Sequence, residues 1–561
     1  MTDDSSPSPF VRYRYLVLIL LGTLIYVSFL GLRDLWFPDE PDSAEVCKAM
    51  FVTGDWIVPR RLGIIWVDYP PMFYWAGALS SHLFGGVSAF TLRLPNALAA
   101  IGIALLACVT GSRWLNPRVG LWAGFILLTF MQFTLQAVGY RPDMLFALTM
   151  TGGILSYARG AGERPSLLWR AAGFALFGLA MLTKGPLGLL LPGLTLVLWH
   201  GTRREWRRVI ELAPLSIVSL AVYLPWFVAC ARAMGSDSIL HELYAQNFQR
   251  FFSGAKGHDQ PIYYYFAYIW VDLSPWSWLL PFAAWRVYKS RLWRDRSVQL
   301  LLWWVVAFIV FLSCAATKRQ LYLLPAYPAI ALLAAPWIAS VGREDGKRNA
   351  PPGPRPVLVY AGVLAVAFVL LALTLFVATA SVEPIIARAG LDVAEAEVAH
   401  ASRAPLVLLG VALLLAGLWI ADAWRRADAR TALVRVGLSH VVIYCVLLAW
   451  VLPAAGSYHS FKPQGAWIRE QIGSETRIGL ADLQYAWRQA GAFAYYSEAG
   501  IDRITTRDEL ERFFREHPAS VVLVHDGDAA TILSGDESNW RQRVVRELRM
   551  GSRVYLVVRA P

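Results

Sequence analysis

Leu35-Trp36-Phe37-Pro38-Asp39-Glu40-Pro41 follows directly on the first long apolar run, about Tyr15 to Gly31. An acidic pair framed by aromatics and prolines is poorly suited to a lipid-facing helix, where an ionised side chain is costly. The stretch reads as an ordered loop at a bilayer surface, and the run before it as a membrane span. Apolar runs of about 20 residues recur along the chain. The 561 residues are 57% hydrophobic and only 16% charged, with mean hydropathy +0.45, which excludes a soluble globular protein. The 24 Trp and 23 Tyr suit membrane–water boundaries.

The runs predict an α-helical polytopic membrane protein with about 13 transmembrane helices. The spans fall near 15–31, 94–111, 120–139, 143–158, 171–183, 185–200, 209–231, 262–285, 297–315, 320–340, 357–379, 405–424 and 436–454. Arg12 and Arg14 precede the first run with no small-residue cleavage site after it, so it reads as a retained anchor. The 72–86 stretch reads as a juxtamembrane helix. With the N-terminus in the cytoplasm, every second gap is basic, for example Arg203, Arg204, Arg207 and Arg208, as the positive-inside rule demands. This pattern makes the net charge of +12 a topology signal and argues against nucleic acid as a partner. The five cysteines show no metal-ligand spacing.

The same count divides the chain into a transmembrane region, residues 1–454, with outer loops 32–93 and 232–261, and a tail, 455–561, on the outer face. The tail reads as a small soluble α/β domain. Its strand candidates are Arg477–Ala481, Ser520–Val524 and Arg553–Val558, and its helix candidates are Gln464–Gln471 and Arg507–Glu516, the latter capped by Thr506.

The first outer loop is acidic, with a short helix expected from Asp42 to Met50 and Asp42 as its N-cap. Pro41 disfavours helical geometry at Glu40. Asp68, before paired prolines, is open to three readings: metal ligand, substrate contact or turn residue. Asp143 brings a second carboxylate to the outer face, and Asp272 is an acid within a span. Arg60, Arg61, Arg141, Lys184, Arg250, Lys256, Lys318 and Arg319 are basic on a face where the rule disfavours them. Such charges need partners, either phosphate groups or, for a snorkelling lysine, the interface. His258 alone reads as a ligand or as a hydrogen-bonded loop residue.

Residues 33–41 and 44–75, Arg141–Met144, Leu182–Pro186, Asn247–Tyr265 and Thr317–Pro325 together resemble the polyprenyl-phosphate-dependent membrane glycosyltransferases of the GT-C class. The resemblance is to the lipid A 4-amino-4-deoxy-L-arabinose transferases, with protein O-mannosyltransferases more distant, and it covers nearly the whole chain. It implies a catalytic role for Asp39, with Asp143 as second carboxylate and Glu40 beside it. It implies that Lys184, Arg250, Lys318 and Tyr322 surround the lipid phosphate, with a divalent metal, Zn²⁺ or Mg²⁺/Mn²⁺, at Asp68 and His258; Arg60, Tyr69, Arg141 and Arg319 are further candidates for substrate contact. The implied partners are an undecaprenyl-phosphate-linked sugar donor, lipid A or another membrane acceptor, and the bilayer. The implied setting is a monomer in the bacterial inner membrane, with its site on the periplasmic face. Two departures bear on sugar and acceptor: Val67-Asp68-Tyr69-Pro70 stands where the family usually has Phe-Glu-Lys-Pro, and Ser43-Ala44-Glu45 where it often has Tyr-Ala-Glu. A peptide acceptor and a lipid-sugar transporter are the rival readings. Transporters gather polar groups near the bilayer midplane, whereas here they collect at one face.

Overall fold

The computed structural model describes residues 9–235, 259–342, 354–384, 393–458, 460–472, 477–483, 489–533, 542–550 and 553–560. It is mainly helical, with a C-terminal mixed sheet. Among the described residues, eight helices are long and apolar enough to cross a membrane, or nine if one bent pair counts as a span. The remaining expected spans coincide with shorter or broken helices or, at 143–158, with the unbroken helix Asp143–Gly160, which does not count among the eight. Among them, Arg14–Val27 and Leu187–Thr202 are apolar but short. The span expected at 262–285 is broken into Tyr264–Asp272, Ser277–Leu279 and Leu280–Lys289. Pro275 stands at the break, where its missing N–H cannot join a helical ladder. Asp272 is buried beside the Tyr327 hydroxyl.

The bent pair shows how the bundle builds its outer loops. Helices Pro117–Thr129 and Met131–Ala137 meet at 69° across Phe130, whose backbone is extended. Such a break leaves carbonyls without helical partners, which must be satisfied locally. Tyr26 Oη donates to Leu128 O at 2.8 Å, and Tyr444 Oη donates to Thr129 O at 3.0 Å. Trp276 Nε1 donates to Thr129 Oγ1 at 2.8 Å, and Met131 N donates to Ser274 O at 3.0 Å. The short second limb then delivers the 139–143 loop to the face that carries Asp39. Asn96 holds that loop there, donating to Gly139 O and Arg141 O, both at 2.7 Å.

The acidic loop departs from expectation at its helix. Helix Asp39–Thr53 begins three residues before the expected start, with Pro38 in the N-cap position and no side-chain cap. Pro41 is therefore inside the first turn. Amides there have no intrahelical acceptor, so a proline costs no hydrogen bond. Gly54 ends the helix in the left-handed region at φ 71°, with its N–H on Met50 O. Two short strands, β1 (Arg60–Arg61) and β2 (Ile64–Ile65), pair antiparallel before helix Met72–Leu83.

Residues 477–559 of the tail carry a five-stranded mixed sheet. Its strands are β3 (Arg477–Ala481), β4 (Gly500–Arg503), β5 (Val521–His525), β6 (Val544–Met550) and β7 (Arg553–Arg559), in the order β4-β3-β5-β7-β6. β4, β3 and β5 are parallel, while β7 and β6 run antiparallel. Thr506 caps helix Arg507–Glu516 as expected, its hydroxyl accepting from Glu509 N at 3.3 Å. The sequence patterns did not reveal β4, β6 or helix Ala490–Ser497.

Close helix packing relies on small residues, as at membrane helix interfaces generally. A Cβ on Gly120 would overlap Ser112 Oγ and Cys108 O of the long helix Ala89–Trp114. Gly120→Val is expected to separate these two helices and cut the yield of folded protein severely. Gly193→Ala, where a Cβ meets open space, is expected to be neutral; size-exclusion profiles of both variants check this.

Candidate active site

Glu40 is almost fully buried and makes more polar contacts than any other carboxylate of the acidic loop. Arg33 donates to both its oxygens, at 3.1 and 3.2 Å. Arg93 does the same at 3.1 and 2.7 Å. The Trp36 and Tyr140 amides add bonds at 2.5 and 2.8 Å. Arg93 also donates to the carbonyls of Leu30, Arg33 and Asp34, so one guanidinium holds both the end of the first helical segment and the loop. Burial alone would raise the Glu40 carboxyl. The Arg93 and Arg33 charges and the bonds from Arg93 and Trp36 outweigh it and hold Glu40 well below the usual carboxylate range.

Asp39, its neighbour, faces a different environment. Its Oδ2 pairs with the Arg141 guanidinium at 2.7 Å and accepts from Arg319 at 3.0 Å. All three residues line a cavity of about 550 Å³, counting its open mouth, together with Asp42, Asp68, Tyr69, Asp143 and Tyr322. Asp143, the first residue of helix Asp143–Gly160, pairs with Lys184 at 2.5 Å. The Lys184 ammonium stands 4.9 Å from the centre of the Tyr322 ring. Lys184 is the last residue of its helix, and Gly185 turns the chain at φ 72°. Asp42, one turn after Asp39, pairs with Arg61 at 2.8 Å, and Arg61 lies over the Trp66 ring at 4.8 Å. Burial pushes the Asp42 carboxyl up to about 7. Arg61 opposes that rise, and the Asp39 and Asp68 charges add to it.

The cavity thus gathers Asp39, Asp143, Asp68, Tyr69, Arg141, Arg319 and Tyr322 from four separate stretches of sequence, with Lys184 beside it. Other expected site residues lie elsewhere. Glu40 does not line the cavity; its oxygens are taken by the arginines and amides described above. Lys318 is buried, donating to Gln260 O at 2.7 Å and to Ala315 O. The antiparallel bridge between Asp259 and Thr317 brings the Gln260 carbonyl to it. Arg60 is half-exposed and faces Asp55 at 3.6 Å. Arg250 and His258 lie outside the described residues. No group of three or more His, Cys, Asp or Glu side chains is gathered to hold a metal ion among the described residues, so Asp68 has no such set there. Arg33 and Arg93 were not singled out from the sequence. Nothing local marks them, because their partner Glu40 is distant from Arg93 in the chain.

This geometry belongs to a known architecture. Residues 68–229 match the family described as dolichyl-phosphate-mannose-protein mannosyltransferase. The fold is that of ArnT from Cupriavidus metallidurans, whose crystal structure was determined bound to undecaprenyl phosphate. The TM-score is 0.75 over 97% of this chain and 99% of that one, at 20% identity. In sequence, the chain is 32% identical over 366 residues to the undecaprenyl phosphate-alpha-4-amino-4-deoxy-L-arabinose arabinosyl transferase of Edwardsiella ictaluri (strain 93-146), covering 64% of this chain and 65% of that protein. It is also 32% identical to the protein of the same name from Enterobacter sp. (strain 638), covering 57% and 59%. The matches thus span somewhat less than two thirds of these relatives. They bear out the resemblance drawn from the motifs: the chain is similar to polyprenyl-phosphate-dependent GT-C glycosyltransferases. Within that class it is similar to the aminoarabinose transferases.

Removing one partner of a buried ion pair costs about 3–5 kcal/mol, because the other charge stays buried. Arg93→Ala is therefore expected to lower the melting temperature sharply, and Glu40→Gln to do so at pH 7. A depressed folded-state value stabilises above the ordinary one, 4.5, and that contribution is lost as pH falls below it. The gap between wild type and Glu40→Gln should therefore narrow in acid. Thermal melts across pH check this, and a constant gap would count against it.

Proposed function

We propose that the protein is an inverting glycosyltransferase. It moves a sugar, 4-amino-4-deoxy-L-arabinose in the first instance, from undecaprenyl phosphate to lipid A or a related glycolipid. The observation that carries this is the cavity in which Asp39 is held by Arg141 and Arg319, next to the Asp143–Lys184 pair. Such a site suits a sugar phosphate whose lipid tail stays in the membrane. The bond from the anomeric carbon to the phosphate oxygen breaks, and an acceptor oxygen bonds to that carbon from the opposite side. Undecaprenyl phosphate leaves with the electron pair. Arg141, Arg319 and Lys184 stabilise the charge that develops on the leaving phosphate. Tyr69 and Tyr322 line the space available to the sugar. If the acceptor is a hydroxyl, Asp39 takes its proton. If it is a lipid A phosphate, already anionic, Asp39 instead orients the donor and stabilises positive charge at the anomeric carbon.

The topology proposed with it has thirteen spans and a cytoplasmic N-terminus, in the bacterial inner membrane. The transmembrane region, residues 1–454, holds the site at its periplasmic face, the 455–561 unit lies on that same side, and the protein acts as a monomer. A peptide acceptor is the second reading, favoured only by the mannosyltransferase match over residues 68–229. A divalent cation at Asp68, with His258 as second ligand, belongs to the proposal, although no step runs through it. Carboxylate and imidazole are both suitable ligands for Zn²⁺.

Asp39→Asn keeps size and most hydrogen bonding but removes the charge. It is expected to fold and bind donor yet lose transfer by ~10²-fold or more. Glu40→Gln is expected to retain more activity per folded molecule. The assay is transfer from undecaprenyl-phosphate-linked aminoarabinose to lipid A in liposomes, with mass spectrometry of the product. Near wild-type transfer by Asp39→Asn would remove the central assignment, and a glycosylated peptide would favour the second reading. For the metal, elemental analysis is expected to show a divalent ion that is lost in His258→Ala. Equal content in both would count against it.

A further inference from the structure

The C-terminal sheet has a point where its connections diverge. The chain leaving β3 runs through helix Ala490–Ser497 to β4 on one side, whereas the chain leaving β5 goes to β6 and β7 on the other. In open α/β sheets, the crevice outside the carboxyl ends of two such strands is where ligands sit. Here the chain itself occupies that edge. Tyr555 Oη donates to Asp482 Oδ2 at 3.0 Å. The Gln489 amide, oriented by its neighbours, donates to Asp482 at 2.8 Å and accepts from Arg553 at 2.6 Å. Arg553 begins β7, which runs antiparallel to β5, so it emerges at this same edge. Its guanidinium lies over the Phe37 ring at 4.8 Å. Phe37 also meets Phe461, with ring centres 5.6 Å apart.

Phe37 is two residues from Asp39, and the same segment is held at further points. Leu35 N donates to Tyr496 Oη at 2.9 Å. Ser460 Oγ donates to Asp34 at 2.7 Å, and Lys462 approaches the same carboxylate at 3.6 Å. One turn or more beyond Asp39, Gly491 packs so closely on Asp42 and Arg61 that no Cβ would fit. Lys48 Nζ donates to Tyr495 O at 3.2 Å. Asp39 therefore stands between two anchors. Glu40 fixes the chain after it to the helical bundle, and residues 34–37 fix the chain before it to the C-terminal unit. Tyr496 and Arg553 do not line the cavity.

We propose that the C-terminal unit is a positioning element of the transfer site. Tyr496 and Arg553 act as positioning residues that fix the 34–37 segment and, through it, the place of the Asp39 carboxylate. The inference rests on the assignment of Asp39 made above. A reacting group displaced by about 1 Å can lose about 10²-fold in rate, so anchors outside the cavity affect the chemistry.

The test uses the full-length protein in liposomes, with Tyr496→Phe, Arg553→Ala and Arg553→Lys. Arg477→Ala is the control, because Arg477 pairs with Asp502 at the opposite end of the sheet. Two quantities are read: transfer kinetics per folded molecule, and amide hydrogen exchange of a peptide covering residues 33–41. Tyr496→Phe and Arg553→Ala are expected to lower kcat about tenfold, with KM for the donor within about twofold and the melting temperature unchanged. Exchange in 33–41 is expected to quicken in both. Arg553→Lys keeps a cation over the ring and should recover part of the rate, and the control should match wild type. A purely structural role would lower melting temperature and yield without moving kcat. Wild-type kcat in Tyr496→Phe overturns the inference whatever the exchange shows, as does a lowered kcat with unchanged exchange. If Arg553→Ala fails to fold, Tyr496→Phe, which keeps its ring, decides. An inactive Asp39→Asn beside a fully active Tyr496→Phe overturns this inference alone. An active Asp39→Asn overturns the assignment on which it rests.

Discussion

The Glu40 carboxylate, enclosed by the Arg33 and Arg93 guanidinium groups and the Trp36 and Tyr140 amides, is the contact on which the arrangement of the site depends. It joins three stretches of chain: the end of the first helical segment, the start of helix Ala89–Trp114 and the turn before helix Asp143–Gly160. A buried carboxylate is unfavourable unless its lone pairs are filled and its charge is matched. Here two cations and two amides do both. The result is a fixed point one residue from Asp39, so the neighbouring carboxylate can face an open cavity without its backbone drifting.

Around the cavity, acids and bases already come in pairs. Asp39 has Arg141 and Arg319, Asp143 has Lys184, and Asp42 has Arg61. Compensation of this kind is what a partly buried site near a bilayer requires, because an unmatched cation there is costly. In the proposed reaction a lipid phosphate would enter this balanced set and share its cations with Asp39 and Asp143. On that proposal, the carboxylates keep these cations in place while the donor is absent.

The far end of the bundle is tied by a similar device. Glu205 accepts from Arg296 at 2.6 and 3.0 Å and from Arg203 at 3.1 Å, and shares a bond of 2.7 Å with His200. Burial would raise Glu205, but the bonds from Arg296, His200 and Arg203 bring it down to about 2. Ion clusters, one buried and one half-buried, thus brace both ends of the helices. A paired carboxylate in this chain is therefore not by itself a sign of catalysis; what separates Asp39 from its neighbour Glu40 is the cavity it lines.

The sequence alone determined the class of molecule. Runs of apolar residues, basic gaps at every second turn and a polar tail are local or periodic properties, and they follow from what a bilayer tolerates whatever the helices touch. The tail's main strands and the Thr506 cap were legible for the same reason. The motifs also brought Asp39, Arg141, Asp143, Lys184, Arg319 and Tyr322 together as candidates. Only tertiary structure separated the candidates into groups: Asp39 at the cavity, Glu40 in the arginine clamp, Lys318 on backbone carbonyls. Adjacent acids are indistinguishable as letters, and what divides them is a partner such as Arg93, 53 positions away. The early start of helix Asp39–Thr53 was hidden because a proline is neutral in a first turn and disruptive elsewhere, and only the folded chain shows which turn it occupies. The hold of the C-terminal unit on Phe37 lay deeper still, since Tyr496 and Arg553 meet that loop across more than 450 positions of sequence.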